Sequence, residues 1–304
     1  MGEKKIHFMG FLTNTDASIL QLNLKYGFEI RSLPEKEALD FIMDVNRVPQ
    51  MEAGRTLFMQ YRCLNSQEKQ VYVIDKSIEV DVNPGETEFF NIMARFDNKF
   101  VHGYLDPTFR LMRLFKEGDL RIPLTYQYII KNGKPSSFMS SSSGKSVSRE
   151  LFHLESSELR NLYNFLEDTT LPFNRDFLQL AFENFERSYE ISNIGLAFLT
   201  LMISLETLLN PGKSELRYRI SRNAAVLLGT NKDESKKIFS EIKKLYVKRS
   251  KVVHTGKTNI IKRDDLLRLC HYVRESIKKM YVLKRGKDKI LDLLNSCGFG
   301  EVTT

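Results

Sequence analysis

The chain has 304 residues, of which 42% are hydrophobic and 28% charged, with 46 Lys plus Arg against 38 Asp plus Glu. At ~100–200 residues per domain this predicts two domains, and the composition excludes a disordered or fibrous chain. No apolar run approaches the ~18–20 residues of a membrane span, so no membrane partner is expected.

Residues 5–12, 19–24, 27–33, 56–64, 70–80 and 123–131 are short segments rich in Ile, Val, Leu, Phe and Tyr. Gly27, Asn83-Pro-Gly85 and Asn132-Gly133 punctuate them. They predict a mainly antiparallel β domain over 1–135. Two short helices interrupt it, one with Pro34 as its first helical residue and running to about Met43, the other from about Pro107 to Phe115. Residues 136–148 hold eight Ser and predict a flexible linker. Gly144-Lys145-Ser146 looks like the end of a phosphate-binding loop, but Met139 stands where its first Gly belongs, so an NTPase is rejected.

From 149 to 304 the apolar period becomes helical. Helices are expected over 155–167, 175–209, 214–228, 233–251, 263–284 and 287–295. The fold class is therefore α+β, a β-rich domain followed by an all-α bundle. Charge follows the same division. Residues 1–150 carry a net +1, 151–212 a net −6 and 213–289 a net +15. Such a block is either a set of solvated helix faces or the electrostatic footprint of a polyanion.

Cys63, Cys270 and Cys297 are odd in number and far apart, which argues against a disulfide framework and for a cytoplasmic setting. Met1-Gly-Glu-Lys-Lys-Ile6 lacks a signal-peptide core, and Ile6 stands where a myristoylation motif has Ser or Thr. Cys270-His271 has no second ligand pair at zinc spacing, so no metal or cofactor is expected. No nucleophile-elbow motif is present either.

The remaining candidate is Arg249-Ser-Lys-Val-Val-His254, closing the basic helix ahead of Gly256. Arg95 and His102 form a looser pair in the β-like half, where apolar Phe96 follows the Arg. Residues 177–256, through Leu205-Glu206-Thr-Leu-Leu209, Arg222-Asn-Ala-Ala-Val-Leu-Leu228 and Leu245-Tyr-Val-Lys-Arg249-Ser250-Lys-Val-Val-His254, resemble the Apea-like branch of the HEPN domains. The resemblance implies a helical bundle that dimerises and acts as a metal-independent ribonuclease, with two Arg–His motifs facing each other across the dimer. The family motif is Arg, a polar residue, three to five further positions, then His. Arg249, Ser250 and His254 fill it, although the polar position is more often Asn, Asp or His. Thr255 separates His254 from Gly256, and Gly256 stands where relatives inhibited by adenylylation carry a Tyr.

The chemistry suits these residue types. RNA carries its own nucleophile, a His titrating near neutrality can move the proton, and an Arg can brace the phosphate. Positions five apart on an ideal helix diverge by about 140°. Either the helix ends before His254, or two chains complete the site. Glu206, among Leu residues, needs a cationic partner, Arg222 or Arg249. Lys236, Lys237, Lys243, Lys244, Lys248 and Lys251 are candidates for the RNA backbone. The β domain is expected to sense a trigger or restrain the nuclease. The rival reading is a non-catalytic HEPN module that binds RNA or a nucleotide, or only dimerises.

Overall fold

A computed structural model describes residues 4–46, 70–80, 86–131, 133–142, 150–210, 212 and 214–301. These fall into two compact units, divided between Thr169 and Thr170. The class is α+β, and no described helix is long and apolar enough to cross a membrane.

The first unit is built on a sheet of β1 (Lys4–Thr13), β2 (Glu29–Pro34), β3 (Gln70–Val80), β4 (Arg121–Lys131) and β5 (Lys134–Ser142). The strands pair antiparallel in the order β2-β3-β1-β4-β5. Central strands covered on both faces read as apolar runs, which is why Phe8-Met-Gly-Phe-Leu12 and Val71-Tyr-Val-Ile74 scarcely alternate. Phe8, Tyr72 and Ile74 pack with Phe96, Leu105 and Phe109. Phe11, Val71 and Val73 pack with Leu39 and Ile42 of α1 (Glu35–Asn46). Pro34 is thus the last strand residue and not the first helical one.

Residues 19–24 are not a strand. Asp16 caps a short helical turn, Ala17–Gln21, and Ile19 and Leu22, three apart, both reach the core. The expected strand at 56–64 lies outside the described residues. The helix expected from about Pro107 to Phe115 is α3 (Asp106–Phe115), and it continues an unexpected one, α2 (Glu86–Phe96), which runs unbroken into it through Asp97–Leu105. The nine residues between are wound as a π-helix, and the Asp106 N–H reaches the Val101 carbonyl. Buried Phe96, Val101 and Leu105 follow that wider winding, in steps of five and four, so a search at 3.6 misses them.

The Ser-rich segment differs from the linker expected at 136–148. Residues up to Ser142 pair with β4, for example Ser140 with Tyr126, and 143–149 lie outside the described residues. Beyond them the chain still belongs to the first unit. Phe152 donates its N–H to the Asn14 carbonyl at 2.8 Å, and Leu154 donates to the Ser18 hydroxyl at 2.8 Å. Phe152, Leu154 and Leu162 of α4 (Leu159–Asp168) are fully buried in that unit's core. The helical unit therefore starts about twenty residues after the expected 149, because apolar side chains, and not Ser content, decide where the chain detaches.

The second unit contains α5 (Asp176–Glu190), α6 (Ile194–Leu209), α7 (Leu216–Leu228), α8 (Lys232–Thr255), α9 (Arg263–Val282) and α10 (Lys287–Ser296). The stretch expected as one helix over 175–209 is two, since Asn193 caps α6 by accepting from the Leu196 N–H at 3.0 Å. Two arginines close helix ends. Arg175 donates to the carbonyls of Met280, Tyr281 and Arg285 at 2.9 to 3.0 Å, satisfying the end of α9.

Candidate functional site

The site residues lie on α8. Asn231 opens it, its side chain accepting from the Asp233 and Glu234 N–H groups at 3.1 and 2.9 Å, and the two acids favour the positive end of the helix. Ile238, Ile242, Leu245 and Val252 are buried. Gly256 ends the helix at φ 68°, a left-handed conformation that favours glycine, and its N–H bonds the Val252 carbonyl at 2.8 Å.

Two contacts set α8 against α6. Arg249 meets Glu206, and Thr258, just past Gly256, lies against Gly195, where an added Cβ would come within 2.4 Å of the Thr258 Cβ. Only glycine allows that approach, and the two contacts, 206 with 249 and 195 with 258, set α6 and α8 antiparallel. Arg249 Nε lies 3.1 Å from Glu206 Oε1, and Nη2 is 3.5 Å from Oε2. The first contact has the separation of an ion pair without hydrogen-bond alignment, leaving buried Oε1 without a hydrogen-bond partner among the described residues. The guanidinium lies 5.7 Å from the centre of the Tyr246 ring. Burial, and then the Glu206 carboxylate, push the Tyr246 phenol above its ordinary value.

Helix α8 is regular through Thr255, so it does not end before His254. Arg249 and His254 are separated by about 140° around the helix and about 7.5 Å along it. Arg249 is half-buried toward α6, and Ser250 is half-buried beside it. His254 is exposed and shares a stripe with Lys243 and Lys251, which are also exposed. Lys243 Nζ lies 5.5 Å from the Phe239 ring centre, and Lys244 is exposed nearby. Lys251 thus lies one turn from His254 and Lys243 about three turns from it on the same side, while Arg249 faces away from both.

Two expected residues are engaged elsewhere. Lys248 donates to both carboxylate oxygens of Asp265 at 2.7 and 2.6 Å, pinning α8 to α9. Arg222 is not the partner of Glu206. It donates to the carbonyls of Leu294, Asn295 and Cys297 at 2.8, 3.3 and 2.8 Å, closing the end of α10. Cys270 is buried against the Tyr189 hydroxyl at 3.5 Å, and no His, Cys, Asp and Glu group among the described residues could hold a metal ion.

Sequence reasoning missed an apolar patch. Leu196 and Ile203, two turns apart on α6, are 50% and 48% exposed, and Val253 on α8 is 51% exposed. The signal was present in α6, which is apolar on every face, more than one core can cover. No family model matches the chain, and neither a curated protein nor a solved structure matches it.

Proposed function

We propose that the helical unit is a metal-independent endoribonuclease of the HEPN type, acting as a cytoplasmic homodimer in a defence or growth-arrest setting. One observation carries this reading. Arg249 and His254 lie on one unbroken helix and point about 140° apart, so a single chain cannot close both on one phosphate. Ile203 on α6 and Val253 on α8 also expose apolar surface that a second copy would cover. Across such a twofold contact, His254 of one copy meets Arg249 of the other.

In that site His254 takes the proton from the ribose 2′-OH, and O2′ attacks phosphorus. The P–O5′ bond breaks, the 5′ oxygen takes up a proton, and a 2′,3′-cyclic phosphate remains. Twofold symmetry makes two such sites, each with one His254 and one Arg249, and in each the His254 imidazolium returns its proton to the 5′ oxygen. Arg249 stabilises the charge building on the phosphate oxygens. Lys243, Lys244 and Lys251 hold the flanking backbone, and Ser250 hydrogen-bonds a phosphate oxygen or orients Arg249. Glu206 positions Arg249. The first unit senses the trigger or restrains the nuclease.

The test is incubation of the full chain with RNA in chelator, beside His254→Ala and Arg249→Ala. Cleavage confined to the unsubstituted protein is expected, and equal cleavage by all three removes the assignment. A second reading is favoured by the Arg249–Glu206 pair, which already neutralises the cation: a non-catalytic module that binds RNA. It requires no cleavage, with binding that weakens in salt and in the Lys243→Glu, Lys244→Glu double variant.

A further inference from the structure

Three unusual features meet in the first unit. Tyr26 has φ 62° and ψ 23°, a left-handed conformation that costs a non-glycine residue on the order of 1–3 kcal/mol. The residue is 57% exposed, and its ring meets Tyr104 at 4.9 Å and Phe100 at 5.9 Å in edge contacts. Phe100 and Tyr104 belong to the π-wound segment, and such winding recurs at functional sites. Two ammonium groups then stand over the same ring. Lys76 Nζ and Lys99 Nζ are each 5.0 Å from the Phe100 centre, and Lys76 is also 5.4 Å from the Phe28 centre. Lys76 donates to the Tyr26 carbonyl. Neither lysine has a carboxylate partner among the described residues, and nearby Glu167 is engaged by Lys25 at 3.4 Å. Burial, and then Lys99, hold the Lys76 ammonium below its ordinary value.

We propose that Tyr26, Phe100, Lys76 and Lys99 form a nucleotide-binding site, with the base stacked on the Tyr26 ring and the phosphate between the two ammonium groups. The two lysines repel each other, and an anion between them relieves that repulsion. The same lysines exclude the other ligand that exposed aromatic rings commonly take, a quaternary ammonium, because the cationic positions over the Phe100 ring are filled. Tyr26 is exposed, so its ring remains open to a base. The site stands apart from the ribonuclease reading and survives its failure.

The experiment is calorimetric titration of the full chain with the four nucleoside 5′-monophosphates, the four nucleosides, inorganic phosphate and hexathymidylate. At least one monophosphate is expected to bind on the order of 0.1 mM, more tightly than its nucleoside or phosphate alone. Tyr26→Asn keeps a residue that tolerates the left-handed backbone and removes the ring, so nucleotide binding weakens about tenfold while phosphate binding does not change. Lys99→Ala removes an exposed charge from a helix surface and weakens both about fivefold. Hexathymidylate tighter than the monophosphate assigns the site to a strand, and equal affinity assigns it to a free nucleotide. The proposal is overturned if no monophosphate binds, if phosphate binds as tightly as every nucleotide, or if both variants titrate like the parent. It is also overturned if the Lys243→Glu, Lys244→Glu variant abolishes the heat, which would place the binding on α8.

Discussion

Two histidines in this molecule stand five residues after a charged side chain, and the two pairs have opposite fates. Asp97 and His102 lie in the π-wound segment, where the turn closes at five residues, and their side chains meet at 3.5 Å. Arg249 and His254 lie in regular α-helix, where the same spacing turns them about 140° apart. Sequence spacing alone is therefore not a site. Winding decides whether two residues act together within one chain, and where it separates them, any joint action needs another surface.

The largest expected effect tests whether the separated pair acts at all: His254→Ala should lower RNA cleavage by at least about 100-fold, read from initial rates on labelled RNA. Unchanged rates would remove His254 from the chemistry. The sharper test mixes two inactive variants. If the site joins Arg249 of one copy to His254 of another, Arg249→Ala and His254→Ala chains exchanged at equal ratio should recover about a quarter of parental activity, since half the dimers keep one intact site of two. A mixture as inactive as its components would place both groups in one chain.

Next in size is the pair itself. Glu206→Gln should cost roughly 1–3 kcal/mol in urea unfolding, because a half-buried guanidinium loses its counter-charge. A change within error would show that solvent already compensates Arg249.

The smallest effect belongs to the π-wound pair. The hydrogen bond to Asp106 at 2.9 Å, with Asp106 and Asp97 nearby, holds the His102 imidazolium above its ordinary value of 6.5. Its stabilising contribution is complete below pH 6.5 and is lost as pH rises through the raised folded value. The side chain is 62% exposed, so solvent screening keeps the contribution small. His102→Gln should therefore flatten a slight decline in the urea midpoint as pH rises above 6.5; parallel profiles would discard the linkage.

The helices from α7 to α10 were legible because each buries one stripe at the α-helical period and ends near a Gly or Asn. Helix α2 and its π-wound continuation were not, because apolar residues spaced by five and four mimic no single period. Strand β5 was hidden by serines, since its partner β4 and not its own composition makes it a strand. At the site, the need of Glu206 for a cation was readable, and the choice of Arg249 over Arg222 was not. That choice depends on α10 folding back so that its last carbonyls take Arg222. Lys248 was similarly counted among the free cations, although Asp265 on another helix claims it.

Strand β5 also bears on how this protein keeps to itself. Among the described residues it forms one border of the sheet, where unpaired backbone groups invite another chain to add on. Its sequence, Lys134-Pro-Ser-Ser-Phe-Met-Ser-Ser-Ser142, offers a poor template for that addition. Pro135 has no N–H to give, and serines supply little of the β-branched or aromatic surface that holds stacked strands together. The same composition that conceals the strand from a reader of the sequence conceals it from a neighbouring molecule, and so protects the sheet from growing into an aggregate.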